Sequence, residues 1–142
     1  MEKMKALVID DERIVLDSVS RILSEEDFKV DTAQSGLEGL KQAIERPYAI
    51  VLTDLRMPDI GGMRVLRDIK RAKSALPVVM ITGYGSVKSA VQAMKLGAAE
   101  YLQKPFSPEE LTAAVKSALH LAATQTPEEQ GMDSQKLEEL IA

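Results

Sequence analysis

The chain has 142 residues, 45% of them hydrophobic and 28% charged, with a formal net charge of −4 and no cysteine. This balance describes one domain able to bury roughly two thirds of its unfolded surface, and it excludes disulfides, thiolate metal sites and any run near the roughly 20 apolar residues that span a bilayer. An acidic balance offers no general attraction to nucleic acid, so no direct nucleic-acid binding and no membrane partner are expected; the lack of cysteine fits a cytoplasmic setting.

The opening, Met1 to Lys5, turns acidic too soon for a signal peptide and leads into a strand, Ala6-Leu7-Val8-Ile9, whose continuous apolar run suits burial on both faces. It ends in Asp10-Asp11-Glu12. Val15, Val19, Ile22 and Leu23 then recur at helical spacing, with Asp11 or Glu12 as candidate helix caps. Phe28 to Ala33 reads as a more polar edge strand. Ser35-Gly36-Leu37-Glu38 is a capping box opening a second helix, with Leu37, Leu40 and Ile44 on its inner face. Pro47 stops it.

The third strand, Ile50 to Asp54, runs into Leu55-Arg56-Met57-Pro58-Asp59-Ile60-Gly61-Gly62, through which no regular element continues. Val65, Leu66 and Ile69 form the inner stripe of a third helix. Its outer face, Arg64, Arg67, Lys70 and Arg71, reads as solvated. Pro77 to Ile81 is a fourth strand ending at Thr82. Ser86 caps a fourth helix containing Val87, Val91 and Met94, and Gly97 closes it. Tyr101-Leu102-Gln103 is a fifth strand ending at Lys104-Pro105. Ser107-Pro108-Glu109-Glu110 is a second capping box for a last helix, running to about Ala123 with Leu111, Val115 and Leu119 inward.

Five strand–helix pairs with right-handed crossovers imply an α/β fold: one parallel sheet with helices on both faces. All strand C-termini then share one rim, which collects Asp10, Asp11, Asp54, Thr82 and Lys104. Crowded carboxylates need either raised pKa values or a cation. With no softer donors nearby, a hard oxygen-loving ion fits best, and Mg2+ is the expected cofactor. Lys104 suits a phosphate as a compact charge, and the Thr82 hydroxyl can donate to a phosphoryl oxygen. Asp54 can then attack phosphorus and form an acyl phosphate.

Four motifs, Val8-Ile9-Asp10-Asp11-Glu12, Thr53-Asp54-Leu55-Arg56-Met57-Pro58, Ile81-Thr82-Gly83-Tyr84-Gly85 and Tyr101-Leu102-Gln103-Lys104-Pro105, resemble the receiver domain of two-component response regulators over residues 4 to about 121. The resemblance implies a flavodoxin-like, doubly wound five-stranded sheet in the order 2-1-3-4-5 and a cis bond before Pro105. It also implies that Asp54 accepts a phosphoryl group from a sensor histidine kinase. Asp11, Asp54 and the Arg56 backbone carbonyl would bind Mg2+, with Asp10 acting through water. Lys104 would hold the phosphoryl group, and Thr82 and Tyr101 would form a switch pair.

Its implied output surface is the fourth helix, fifth strand and fifth helix, used for homodimerisation or for contact with an output domain. The stretches Thr82 to Ser86 and Ala93 to Ala98 are most similar to nitrogen-regulator-class receivers, which precede an ATPase domain that activates sigma-54 polymerase. Residues 1–123 are the expected receiver domain. Residues 124–142 read as a linker and the start of a helix, with a capped turn at Thr126 to Glu129 and Leu137, Leu140 and Ile141 as an apolar stripe, leading to an output domain or a partner.

Two rival readings have specific counter-signals. A Mg2+-dependent aspartyl phosphatase of the haloacid-dehalogenase type needs a second Asp two residues after the nucleophile, where this chain has Arg56. A pseudo-receiver that never becomes phosphorylated predicts a damaged acidic pocket, and this one is intact. Met57 and Met94 read as packing residues, and His120 carries no chemistry.

Overall fold

The structure is a computed structural model, described here for residues 3–124; the expected turn at Thr126 and the stripe ending at Ile141 lie outside the described residues. Ten elements alternate: β1 (Met4–Ile9), α1 (Arg13–Glu25), β2 (Phe28–Ala33), α2 (Gly36–Glu45), β3 (Ile50–Asp54), α3 (Gly62–Ala72), β4 (Val78–Thr82), α4 (Val87–Lys95), β5 (Glu100–Gln103) and α5 (Pro108–Thr124). All strand pairs are parallel, and the sheet order is β2-β1-β3-β4-β5. This is the expected flavodoxin-like arrangement, with β2 at an edge.

Period-two alternation assigns side chains to two cores. Ala6 and Val8 of β1, Ile50 and Leu52 of β3, and Val79 and Ile81 of β4 face α1 and α5, which contribute Leu16, Val19, Leu23, Leu111, Val115 and Ala118. Leu7, Ile9, Val51, Val78 and Met80 face the other way, against Ala43 of α2, Val65, Leu66 and Ile69 of α3, and Ala93 of α4. Each fully buried Val, Leu or Ile contributes about 1.5–3 kcal/mol of transfer free energy. β3 is buried along all five residues, the last being Asp54.

Several local expectations are corrected. The inner face of α2 is Gly36, Gly39 and Ala43 with Leu40 at its margin, whereas Leu37 and Ile44 are 54% and 43% exposed. The reason is proximity: a Cβ on Gly39 would lie 2.5 Å from the Ile9 side chain, so the helix sits too close to the sheet for larger residues there. Only half of the first capping box forms. Ser35 Oγ accepts from the Glu38 N–H, while the Glu38 carboxylate accepts from Gln42 Nε2 instead. The box at Ser107 and Glu110 is complete.

α1 has no capping side chain at Glu12, and Asp10 Oδ1 accepts the Glu12 N–H at 2.9 Å. Lys70 is not a solvated cation: Nζ donates to the Ser74 and Leu76 carbonyls at 2.6 and 3.0 Å, and burial pulls its ammonium below its usual value. Met94 is half exposed rather than packed inside.

Candidate functional site

The carboxyl edge of the sheet gathers the polar groups because each preceding strand is anchored by its apolar residues. Asp10, Asp54 and Thr82 are buried, and so is Thr53 beside them. β1 and β3 run in register from Ala6 opposite Ile50 to Ile9 opposite Thr53, which sets the acids after Ile9 next to the end of β3. Lys104 follows β5, and its backbone N–H donates to the Thr82 carbonyl at 2.8 Å. From there Nζ reaches Asp10 Oδ2 at 2.9 Å and Asp54 Oδ1 at 3.5 Å. The Lys104–Pro105 bond is cis, as the family resemblance implied.

The charges shift one another. Burial, with the Asp10 charge next, pushes the Asp54 carboxyl up to about 6 against the pull of Lys104. Burial pulls the Lys104 ammonium down, but the hydrogen bond and charge of Asp10, helped by Asp54 and Glu12, hold it above its ordinary value. Asp10 has both oxygens occupied, one by the Glu12 N–H and one by Lys104.

Outside these buried groups lies a depression of about 290 Å³ lined by Asp11, Glu12, Asp54, Arg56, Met57, Pro58 and Tyr84. One carboxylate oxygen from each of Asp10, Asp11 and Glu12 lies within 4.8 Å of the others. An all-oxygen, multiply anionic donor set fits a hard divalent cation such as Mg2+. Glu12, a member of this group, is expected from the sequence as a candidate cap and as part of the first motif, but not as a metal ligand. At the rim of the depression the Arg56 guanidinium stacks 4.7 Å above the Tyr84 ring.

The structure thus brings together Asp10, Asp11, Asp54, Arg56 and Lys104. Thr82 stands at the end of β4, paired in register with Gln103 next to Lys104, and its Oγ1 accepts the Tyr84 N–H at 3.0 Å. Tyr101 approaches it through Gly85, where an added Cβ would lie 2.6 Å from Tyr101 Oη and 3.3 Å from Thr82 Cγ2. The Tyr101 hydroxyl pairs with Ser89 Oγ at 2.9 Å. Ser89 was missed in the sequence. Its signal is the Ser86-x-x-Ser89 spacing, and both residues form a reciprocal cap at the start of α4.

Sheet order and rim together define a doubly wound fold whose carboxyl edge, where such folds bind ligands, gathers the buried acids and Lys104. The family model described as the response regulator receiver domain matches residues 6–116, and the chain belongs to that family. It is 31% identical over 139 residues to the transcriptional regulatory protein CusR of Escherichia coli K12, covering 98% of this chain and 61% of CusR. It resembles a response regulator receiver domain protein of Clostridium thermocellum with a TM-score of 0.78 at 38% identity, covering 83% of this chain and 95% of that one. The beryllofluoride-activated NtrC4 receiver domain dimer matches with a TM-score of 0.79 at 39% identity, covering 83% and 98%. The curated relatives are transcriptional regulatory proteins, and the chain spans about three fifths of CusR's length. No helix among the described residues is long and apolar enough to cross a membrane.

Proposed function

We propose that this domain is a phosphorylation switch in which Asp54 accepts a phosphoryl group from a phosphohistidine on a sensor kinase. The observation that carries the reading is a buried carboxylate at a strand end with an ammonium 3.5 Å away and an acidic depression beside it. A carboxylate oxygen of Asp54 attacks phosphorus, the P–N bond breaks, and the imidazole leaves with the bonding pair. Asp11, Asp54 and the Arg56 backbone carbonyl would hold Mg2+, with Asp10, paired to Lys104, behind them. When bound, Mg2+ supplies positive charge to carboxylates and phosphoryl oxygens.

Lys104 balances the incoming negative charge, and Thr82 can donate to a phosphoryl oxygen. Movement of Thr82 toward that oxygen would alter the space the Tyr101 ring occupies, which couples the acceptor to α4, β5 and α5. The domain catalyses its own phosphorylation and dephosphorylation. Its partners on this reading are a sensor histidine kinase, a second copy of the chain and an output domain that controls transcription. We assign the sigma-54 ATPase class to that output domain, residues 124–142 to the connection, and the cytoplasm as the location.

Incubation with Mg2+ and acetyl phosphate, followed by intact mass measurement, tests the reading. One phosphoryl adduct that disappears in Asp54→Asn is expected. No adduct would favour the pseudo-receiver, and rapid turnover of many phosphate esters would favour the phosphatase.

A further inference from the structure

We infer that Asp59 is a positioning residue of the acidic pocket: it fastens the N-terminus of α2 to the loop after β3 and so fixes where Arg56 stands relative to Asp10 and Asp11. This inference rests on the reading that the pocket takes Mg2+.

Asp59 Oδ1 accepts the Gly36 N–H at 3.0 Å and Oδ2 accepts the Leu37 N–H at 2.8 Å. These are two of the four N–H groups that a helix start leaves without intrahelical partners. α2 already has a local cap, since Ser35 Oγ takes the Glu38 N–H at 3.2 Å. The second carboxylate therefore does more than cap: it joins segments more than twenty positions apart. A carboxylate is favoured there by the helix dipole. Burial opposes its ionisation, but the Leu37 and Gly36 N–H groups outweigh that and hold it below the usual carboxylate value.

The contact is close as well as polar. A Cβ on Gly36 would lie 2.5 Å from Ile60 Cγ1 and 2.9 Å from the Ile60 carbonyl, so the loop rests on the helix backbone. At its other end the loop is shut by the Gly62 N–H donating to the Leu55 carbonyl at 2.7 Å. Arg56 lies between these two fastenings. α2 in turn is registered on β1, because Gly39 meets the Ile9 side chain one residue before Asp10. The helix is thus a strut between the two halves of the pocket, and Asp59 is the bolt at one end. Asp59 itself does not line the depression, so it acts through the backbone it holds.

The test is a titration with MgCl2 in which the backbone amide shifts of Asp11 and Arg56 are followed by NMR. Asp59→Ala should raise the Mg2+ Kd about tenfold, the low end for groups that orient metal ligands. Asp59→Asn keeps one acceptor oxygen and should give a smaller rise in the same direction. Ser35→Ala removes the local cap of the same helix without touching the loop, and should leave the Kd within about twofold. An unchanged Kd in both Asp59 variants, or an equal rise in Ser35→Ala, would overturn the inference while leaving the Mg2+ site standing. A wild-type chain whose amides do not respond to MgCl2 would overturn both.

Discussion

The Lys104 ammonium is paired first with Asp10, at 2.9 Å, and reaches Asp54 only at 3.5 Å. Its principal partner is therefore not Asp54, the carboxylate proposed to take the phosphoryl group. Removing the cation leaves Asp10 fully buried with one oxygen unpaired. Lys104→Met should therefore destabilise the metal-free domain at pH 7 by about 3 kcal/mol, as for breaking a buried pair. Urea unfolding checks this, and Mg2+ should recover part of the loss; an unchanged midpoint would contradict the pairing.

Asp54 sets a pH dependence of definite sign. Its carboxyl rises from 3.8 to about 6 on folding, so the folded state binds the proton more tightly. The stabilisation is complete below about 4 and is lost as pH rises through about 6. Asp54→Asn removes the penalty of charging a buried group. Without metal it should stabilise the domain at pH 7.5 by about 2 kcal/mol and have little effect at pH 3.5. Denaturant melts of both proteins across that range measure the difference directly.

Gly39 inverts the usual helix rule. In an exposed helix interior, Gly to Ala gains about 1 kcal/mol. Here the new methyl would meet the fully buried Ile9 side chain at 2.5 Å. Gly39→Ala should cost about 1–3 kcal/mol, the range for overpacking. Thermal melts decide it, and a raised midpoint would mean that the helix can shift outward.

The Tyr101 hydroxyl is held by Ser89 and overlain by Gly85. Ser89→Ala should free the ring without disturbing the acid pocket. Gly85→Ala should displace it, since the new Cβ would overlap Oη. Both variants should still take phosphate from acetyl phosphate. Both should also respond less at α4 when treated with beryllofluoride, as read by amide shifts of residues 87–95; full response in Gly85→Ala would remove Tyr101 from the switch.

The strands were legible almost to the residue, because apolar runs that end in a polar group leave little choice about which end faces the rim. Ile50–Asp54 was read with its observed bounds. The rim followed from topology alone, since parallel strands share a carboxyl edge. The helices were less legible where packing distance decides burial. Counting apolar residues placed Leu37 and Ile44 inward on α2, but the close approach at Gly39 gives that face to small residues. Asp59 and Ser89 were hidden for a related reason: an acid or a hydroxyl beside a helix start looks like a local cap until its partner from another segment is known. The exposed Met94 shows the opposite limit, an apolar residue at helical spacing on an outward face.

α4 has nine residues, and only Ala93 is buried. Val87, Val91 and Met94 stand at 83%, 47% and 50% exposure. Little apolar area is therefore lost when this helix leaves the sheet, and its amides should exchange with deuterium sooner than those of α3. A ligand that grips those three side chains would work against few buried contacts, so on the proposed reading a small change at the rim would be enough to reorient α4.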